Sequence, residues 1–237
     1  MNEFLRKNRQ RIELDLIDSP SRHLFSPVAL SQQNVTFPMV KKYANGRLID
    51  LGCGFMPYKK ALAGQIEIYD SLDLFPKTPE VTYTADIQDM RVIQDCVYDS
   101  ALCIEVLEHV PDPLRASREI SRILKPEGYL ILSVPHLSRL HEEPYDFYRF
   151  TKYGLQVILE QAGFRIVDLR ARGGLLSFIG HQVSTIFLGF AWGIPVVKDI
   201  AWFLNSWLVT RPCYFLDRSL WPNGVFAQGY SVVAQKR

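Results

Sequence analysis

A strand that runs directly into a glycine turn constrains the fold of this chain more than any other feature. The apolar residues of 48–51 predict a buried strand, which also carries Asp50 near its carboxyl end. Gly52 and Gly54 follow, and they allow a sharp turn and the close approach of a ligand to the backbone. In an open α/β sheet, nucleotide-like ligands bind at such strand ends. The turn therefore predicts an α/β fold with a ligand site beside it.

The turn differs from the dinucleotide-binding fingerprint at its last position. Pro57 stands where that fingerprint has its third glycine, the residue that lets a helix pack closely beneath a pyrophosphate. An adenosyl ligand without phosphates does not need that packing. The spacing therefore favours such a ligand over a nicotinamide dinucleotide.

Several segments, taken in order with the turn, resemble the class I S-adenosylmethionine-dependent methyltransferases, and in particular the type 11 methyltransferase group. The matching segments are residues 48–54, 69–73, 85–87, 103–113, 123–128 and 133–136. The resemblance covers about residues 40–172 and a last strand near 228–235. It implies a methyltransferase that uses S-adenosyl-L-methionine as its cofactor.

The length and composition indicate one α/β domain with additions. They argue against nucleic-acid binding, a cysteine metal site, a disulfide framework and export. The chain has 237 residues, with 27 basic and 25 acidic side chains, so no bulk charge points to nucleic acid. Its four cysteines show neither metal-ligand spacing nor the density of a disulfide framework. The charged N-terminus lacks the apolar run of a signal peptide. We expect a cytoplasmic protein that binds no nucleic acid.

Strands and helices alternate along the middle of the chain, which predicts a doubly wound, mostly parallel sheet. Together with the resemblance, this gives a seven-stranded Rossmann-like methyltransferase fold with a hydrophobic helical insert before the last strand. The predicted strands are 48–51, 66–72, 81–84, 100–104, 129–133, 164–169 and 229–234. A short helix is expected over 37–44, and Asp112 and Thr151 are expected to cap two later helices.

Three segments are expected in the domain organisation. Residues 1–36 form an N-terminal lid or irregular segment, and residues 37–172 with 226–237 form the methyltransferase domain. An apolar helical insert occupies residues 173–225, and Trp192, Trp202, Trp207 and Trp221 lie in or near it.

The insert contains a long uncharged stretch whose partner the sequence leaves open. Residues 175–197 contain no Asp, Glu, Lys or Arg. Large apolar residues follow helical spacing on one side of it and small polar residues lie on the other, which is an amphipathic pattern. Pro195 and Lys198-Asp199 interrupt the stretch and argue against a bilayer-crossing helix. Residues 175–210 could cap the pocket, form a homodimer face, or dock a peripheral protein on a membrane surface.

The resemblance assigns the cofactor to residues that follow the predicted strands. Asp73, 19 residues after Gly54, is preferred over Asp70 as the acid that accepts the ribose hydroxyls. Asp86 and Ile87 are expected near the adenine, although Asp86 could instead cap a helix. Cys103 is expected near the methionine moiety or as core filler. The full predicted cofactor set is Asp50, Gly52, Cys53, Gly54, Asp73, Leu74, Asp86, Ile87, Cys103 and Ile104.

The segment 135–149 is the candidate acceptor side of the site, because it follows the fifth strand and is rich in histidine, acids and tyrosine. His136 or His141 could take a proton from an acceptor hydroxyl. His136, His141, Glu142 and Glu143 lack an established metal-ligand spacing, so no metal is expected. The block containing Glu108 and His109 is interpreted mainly as organising its loop.

The sequence thus predicts a methyltransferase that acts on oxygen of a small-molecule, sugar or lipid-linked acceptor. The apolar insert is the reason for including lipid-linked acceptors. Two alternatives stay open: a nicotinamide-dependent oxidoreductase on the same sheet, and a non-catalytic adenosyl-binding module that recruits a partner through the insert.

Overall fold

The computed structural model of the chain describes residues 3–17, 19–220 and 224–237. Residues 1–2, 18 and 221–223 lie outside the described residues. They include Trp221 and short parts of the predicted N-terminal segment and of the predicted insert. The chain divides into two compact units. One contains residues 36–170 with 229–237 and is called the sheet unit here; the other contains residues 1–35 with 171–228 and is called the helical unit.

The sheet unit is built on one seven-stranded sheet with the strand order β3-β2-β1-β4-β5-β7-β6. The strands are β1 (Arg47–Leu51), β2 (Ile68–Asp73), β3 (Tyr83–Thr84), β4 (Tyr98–Ile104), β5 (Leu124–Pro135), β6 (Phe164–Arg172) and β7 (Gly229–Lys236). Strands β1 to β5 pair in parallel, and β7 runs antiparallel to β5. The predicted doubly wound, mostly parallel sheet is confirmed.

The central strands are buried because helices cover a parallel sheet on both faces. Leu48 and Ile49 of β1 and Leu102 of β4 have no exposed surface, and Leu130 and Leu132 of β5 have none either. These near-continuous apolar runs are what made the strands visible in the sequence. They hold the carboxyl ends of β1, β2 and β4 at one edge of the sheet.

The helices of the chain have clear sequence signals at several of their ends. They are α1 (Glu3–Leu16), α2 (Pro27–Tyr43), α3 (Lys59–Leu62), α4 (Pro113–Ile123), α5 (Lys152–Gln161), α6 (Leu175–Ala191), α7 (Pro195–Asn205) and α8 (Arg211–Leu220). The Asp112 carboxylate accepts a hydrogen bond from the Arg115 N–H at 2.9 Å. The Thr151 hydroxyl accepts one from the Gly154 N–H at 3.1 Å. Both predicted helix caps are confirmed.

Most strand boundaries differ from the prediction by one to a few residues, and two of the differences have a clear cause. Strand β3 has only two residues, because the side chains of Thr82 and Ser71 replace the ladder there: the backbone N–H of each donates to the hydroxyl of the other at 3.1 Å. Strand β5 begins at Leu124, five residues before the predicted start, because Leu124 already pairs with Tyr98 ahead of a register shift in β4.

Helix α2 begins at residue 27, ten residues before the predicted start at 37. Pro38 lies inside the helix, where its missing N–H removes one intrahelical hydrogen bond. The prediction missed the upstream turns because they carry no strong apolar period. Burial of Met39 and Val40 against the sheet unit's interior keeps the helix continuous past the proline.

The helical unit packs α6, α7 and α8 together, and a π-helical turn at Ser206–Thr210 joins α7 to α8. Its apolar core contains Ile12 and Leu16 of α1, Leu188 and Trp192 at α6, and Ala201 of α7. The Trp192 indole N–H donates to the Asp15 carboxylate at 2.9 Å. No helix in the described part of the chain combines the length and the apolar character that crossing a bilayer requires.

Candidate functional site

The glycine turn after β1 combines one crowded position with one open position. Gly52 has φ +64°, and a Cβ there would lie 2.5 Å from Cγ2 of Val106, so only glycine fits. Gly54 has φ +53°, but a Cβ there would have no described heavy atom within 4 Å. Both residues adopt the left-handed conformation that favours glycine. The open space at Gly54 leaves the backbone of the turn accessible there. A ligand can therefore approach the chain closely at that point.

Asp73, at the end of β2, holds this turn in place. Its Oδ2 accepts a hydrogen bond from the Gly54 N–H at 2.9 Å, and its Oδ1 accepts one from the Phe75 N–H at 2.9 Å. Asp70 lies further back in β2 and is engaged elsewhere: it accepts from the Arg47 guanidinium at 2.8 Å and from the Tyr98 hydroxyl at 2.9 Å. Asp73, not Asp70, is the acid beside the turn, which is the position preferred from the sequence.

A buried carboxyl lies beneath the turn. Asp50 is almost fully buried, and its Oδ2 accepts a hydrogen bond from the Tyr69 hydroxyl at 2.5 Å. Burial raises the pKa of Asp50 to about 7, against the lowering effect of that hydrogen bond. Burial also raises the pKa of the Cys53 thiol to about 12, so that Cys53 stays neutral. Asp50 is thus a carboxyl whose charge a neighbouring cation could restore.

The other predicted cofactor residues differ in accessibility. Asp86 follows β3 and accepts a hydrogen bond from the Gln88 N–H at 2.8 Å, within a turn rather than at a helix N-terminus. Leu74 is exposed, and Ile87 is buried. Cys103 has no exposed surface, so in this structure it is core filler; Ile104, next to it, keeps accessible surface.

The segment after β5 is tied to the turn after β4. The Glu108 carbonyl accepts hydrogen bonds from the Phe147 N–H at 2.8 Å and the Tyr148 N–H at 3.2 Å. His109 Nδ1 donates to the Tyr145 carbonyl at 2.5 Å. These bonds bring the ring of His109 to 4.8 Å from the ring of His141, centroid to centroid.

His141 lies against a buried, ionised acid. Its Nδ1 is 3.4 Å from Asp146 Oδ2 and 3.3 Å from the Arg139 carbonyl, with Arg149 Nη2 at 3.5 Å. Because the two nearest partners are acceptors, the neutral ring carries its proton on Nδ1 and keeps a lone pair on Nε2. Hydrogen bonds from Arg149 lower the pKa of Asp146 to about 2. Burial lowers the pKa of His141, against the raising effect of Asp146.

His136, the other predicted base, has a different environment. Its Nδ1 is buried without a hydrogen-bond partner among the described residues, and its ring lies 5.7 Å from the ring of Tyr230. No described acid orients its ring as Asp146 orients that of His141. The structure therefore separates the two histidines that the sequence left as equals.

A set of groups that could hold a metal ion also differs from the one considered in the sequence. Glu108, His109 and His141 each offer a ligand atom, and these atoms lie within 4.8 Å of one another. Glu142 and Glu143 do not belong to this set. His109 Nε2 is 3.7 Å from Glu108 Oε1. Since one carboxylate and two imidazoles suit zinc and similar ions, metal binding here is chemically feasible.

Sequence reasoning missed Asp146 and Arg149 and gave His109 a mainly structural role. One signal was present: Asp146 and Arg149 are three residues apart in a segment already singled out. Nothing local marks His109 as a neighbour of His141, because the hydrogen bonds of Glu108 and Tyr145 join two separate segments.

Comparison with known proteins identifies the family. Residues 3–169 match the model of the methyltransferase domain family. A ubiquinone biosynthesis O-methyltransferase of Xanthomonas oryzae pv. oryzae is 30% identical over 131 aligned positions, in an alignment that covers 49% of this chain and 53% of that protein. The chain thus spans about half the length of the curated relatives it matches.

Solved structures show the same fold at low sequence identity. An S-adenosylmethionine-dependent methyltransferase of Archaeoglobus fulgidus has a TM-score of 0.56 and 16% identity, covering 87% of this chain and 93% of that one. One of Mesorhizobium loti has a TM-score of 0.55 and 17% identity, covering 87% and 98%. The fold, the order of motifs and the family match agree: the chain belongs to the methyltransferase domain family and has the fold of S-adenosylmethionine-dependent methyltransferases.

Proposed function

We propose that this enzyme methylates a hydroxyl oxygen of a small-molecule, sugar or lipid-linked acceptor, with His141 as the base. The observation that carries the proposal is the Asp146–His141 pair, in which a buried carboxylate lies 3.4 Å from Nδ1 of the ring. The matched relatives named as O-methyltransferases support the choice of oxygen. A neutral amine acceptor would have less need of such a base.

The residues around the glycine turn fit an adenosyl ligand. Gly54 leaves open space beside its backbone, and Asp73 offers a carboxylate at the end of β2. We assign the ribose hydroxyls to Asp73 and the ligand's amino group to the neighbourhood of Asp50. Leu74, Asp86, Ile87 and Ile104 complete this proposed cofactor set. When bound, S-adenosylmethionine supplies a methyl group activated by its sulfonium.

His141 has the tautomer and charge state that the proposed reaction needs. Because its pKa is lowered by burial, the ring is neutral near pH 7 and Nε2 is free to accept a proton. The acceptor oxygen forms a bond to the methyl carbon as the carbon–sulfur bond breaks, and Nε2 holds the proton that the hydroxyl releases. Asp146 stabilises the imidazolium that results.

Exposed aromatic side chains around His141 favour an acceptor with an apolar or aromatic body. Tyr145, Phe147 and Tyr148 belong to the same segment and are exposed. Tyr145 also lies 6.1 Å from Phe75, ring centroid to ring centroid. Flat apolar surface of this kind binds a ring or chain while the hydroxyl is oriented by the histidine.

The proposal is tested by methyl transfer from radiolabelled S-adenosylmethionine to matched acceptors. Each aromatic, sugar and lipid-linked hydroxyl compound is paired with the analogue in which an amine replaces the hydroxyl. We expect turnover with one class of hydroxyl compound and a loss of about 100-fold or more in His141→Gln, with donor binding retained. His136→Gln is the matched control and should keep most activity. Turnover of the amine alone, or an active His141→Gln, would refute the proposal.

Removal of metal ions with a chelator distinguishes two roles for His141, that of a base and that of a metal ligand. If His141 acts as a base, dialysis against EDTA leaves turnover unchanged. If activity is lost on dialysis and returns with a divalent metal, Glu108, His109 and His141 hold an ion instead, and the base assignment is wrong.

A further inference from the structure

The helices of the helical unit expose many large apolar side chains. Helix α6 was expected to have one apolar and one polar side, and the structure buries the polar side: Ser177, Gly180 and Ser184 face the interior, while Ile186 and Phe190 are exposed. The exposed large apolar side chains of this surface are Ile179, Val183, Ile186, Phe187, Phe190, Ile194, Val196, Val197, Ile200, Phe203, Leu204, Trp207, Leu208, Phe215, Leu216 and Leu220. We call these residues the apolar face.

Some polar side chains inside the unit hydrogen-bond to other segments of it, while the buried hydroxyls of Ser177 and Ser184 have no partner among the described residues. Asn205 Nδ2 donates to the Phe25 carbonyl at 2.9 Å, and the Thr210 hydroxyl donates to the Leu24 carbonyl at 3.0 Å. Asn8 Nδ2 donates to the Gly189 carbonyl at 2.9 Å. The unit also has an apolar core, but its helices bury polar side chains and expose many large apolar ones, which is unusual in water. Polar contacts between helices with apolar exteriors are typical of proteins surrounded by lipid.

The helices of the unit also approach one another closely. A Cβ at Gly180 would lie 2.8 Å from Sγ of Cys213 and 2.9 Å from Cγ of Pro27, so only glycine allows these elements to approach. Asp217 accepts hydrogen bonds from the N–H groups of Leu176 at 2.9 Å and Ser177 at 2.6 Å, which satisfies the start of α6 internally. The unit is thus well formed without covering the apolar face.

The charged groups near the apolar face favour a lipid surface as its occupant; one of them, Lys198, also lies 4.0 Å from the Asp15 carboxylate. Over residues 175–220, all of which are described, the cations are Lys198, Arg211 and Arg218, and Asp199 is the one acid with an exposed side chain. Arg211 lies over the Trp207 ring, 4.3 Å from its centroid. Indole and guanidinium groups together are suited to the boundary between hydrocarbon and lipid headgroups.

We propose that the apolar face docks the enzyme on the surface of a bilayer that contains anionic lipid. Helices α6 and α7 have 17 and 11 residues, so at about 1.5 Å per residue α7 is only about half as long as the hydrocarbon core is thick. The apolar face therefore enters one leaflet, with the cations at the headgroups. This proposal does not depend on the acceptor or on His141.

Vesicle flotation of the full chain tests the proposal. The vesicles contain either phosphatidylcholine alone or an equimolar mixture with phosphatidylglycerol. We expect flotation with the mixture, and a loss of about 100-fold in partitioning for the double variant Phe203→Ser, Trp207→Ser, because two large side chains no longer leave water. The double variant Val92→Ser, Val157→Ser is the matched control, since it changes exposed valines of the sheet unit.

Charge variants and oligomeric state decide between lipid and a second copy. Lys198→Gln and Arg218→Gln should each weaken binding to the anionic vesicles by about fivefold, and added salt should do the same. Quenching of Trp207 fluorescence by brominated lipid would support insertion, with Trp207→Phe as the reference. A protein that fails to float would overturn the proposal; if light scattering then shows a dimer that the Phe203, Trp207 variant disrupts, a second copy covers the face. Flotation unchanged in that variant would also overturn it.

Discussion

Asp146 holds His141 twice: its Oδ2 accepts a hydrogen bond from the His141 backbone N–H at 2.8 Å and lies 3.4 Å from Nδ1 of the same ring. The acid therefore fixes the position of the residue as well as the orientation and tautomer of its side chain. Arg149 in turn donates to both carboxylate oxygens, at 2.6 and 2.7 Å. This relay makes the charge state of His141 sensitive to substitutions that never contact an acceptor.

The pH dependence of turnover should report this relay. Because burial lowers the pKa of His141, kcat/KM should fall only below the ordinary value of 6.5. Asp146→Asn removes a charge that raises this pKa, so the acidic limb should move to lower pH. His109→Gln removes a group that lowers it, so the limb should move to higher pH. Profiles of kcat/KM for the three proteins check the two opposite shifts; shifts in the same direction would contradict the assignment.

Donor binding should release a proton near Asp50. The carboxyl has a pKa of about 7 when the protein is alone, so it is largely protonated at about pH 6. A ligand ammonium beside it would favour the carboxylate and expel the proton. Calorimetric titrations with S-adenosylmethionine in two buffers of different ionisation enthalpy measure the release. Asp50→Asn should bind without it; equal apparent enthalpies for the wild type in both buffers would place the amino group elsewhere.

The same carboxyl should influence stability. Its folded-state pKa is raised from 3.8 to about 7, so the folded state favours the neutral form. The stability it contributes is fully present below about pH 3.8 and is lost as pH rises through about 7. Asp50→Asn lacks this loss, so its melting temperature relative to the wild type should increase from pH 5 to pH 8, as thermal unfolding can show.

Alanine at three of the positive-φ glycines, Gly52, Gly54 and Gly64, should separate backbone strain from ligand contact. Each change costs about 1–2 kcal/mol for the left-handed backbone, and Gly64→Ala, with φ +80° and open space, shows that cost alone. Gly52→Ala adds a clash with Val106, so it should be the least stable. Gly54→Ala should melt like Gly64→Ala but bind S-adenosylmethionine far more weakly. Equal binding by the Gly54 and Gly64 variants would remove Gly54 from the site.

The two acids of β2 should respond differently to loss of charge. Asp73→Asn should weaken S-adenosylmethionine binding by about 10- to 100-fold, the worth of a charged hydrogen bond. Asp70→Asn breaks contacts with Arg47 and Tyr98, so it should lower the melting temperature while leaving binding nearly unchanged. Calorimetry and thermal unfolding of both variants supply the comparison, and a reversal of the two effects would favour Asp70.

Local patterns were enough to predict the sheet and the glycine turn, whereas long-range contacts were not visible. The apolar runs of β1, β4 and β5 identify buried strands directly. The early start of β5 depends on pairing with Tyr98, and the shortness of β3 depends on Thr82 meeting Ser71. His109 reaches His141 from a segment about thirty residues away along the chain. For α6 the sequence showed two faces, but which face is buried depends on the close approach that Gly180 permits.

The segment 173–228 connects two strands that are neighbours in the sheet, β6 and β7. The Gln228 N–H donates to the Arg172 carbonyl at 2.8 Å, so the two ends of the intervening chain are held together at its base. The entropy of closing such a segment rises only with the logarithm of its length. Helices can therefore be gained, lost or exchanged there during evolution without disturbing strand register, which makes this junction a natural place for an engineer to graft a different helical segment onto the same sheet.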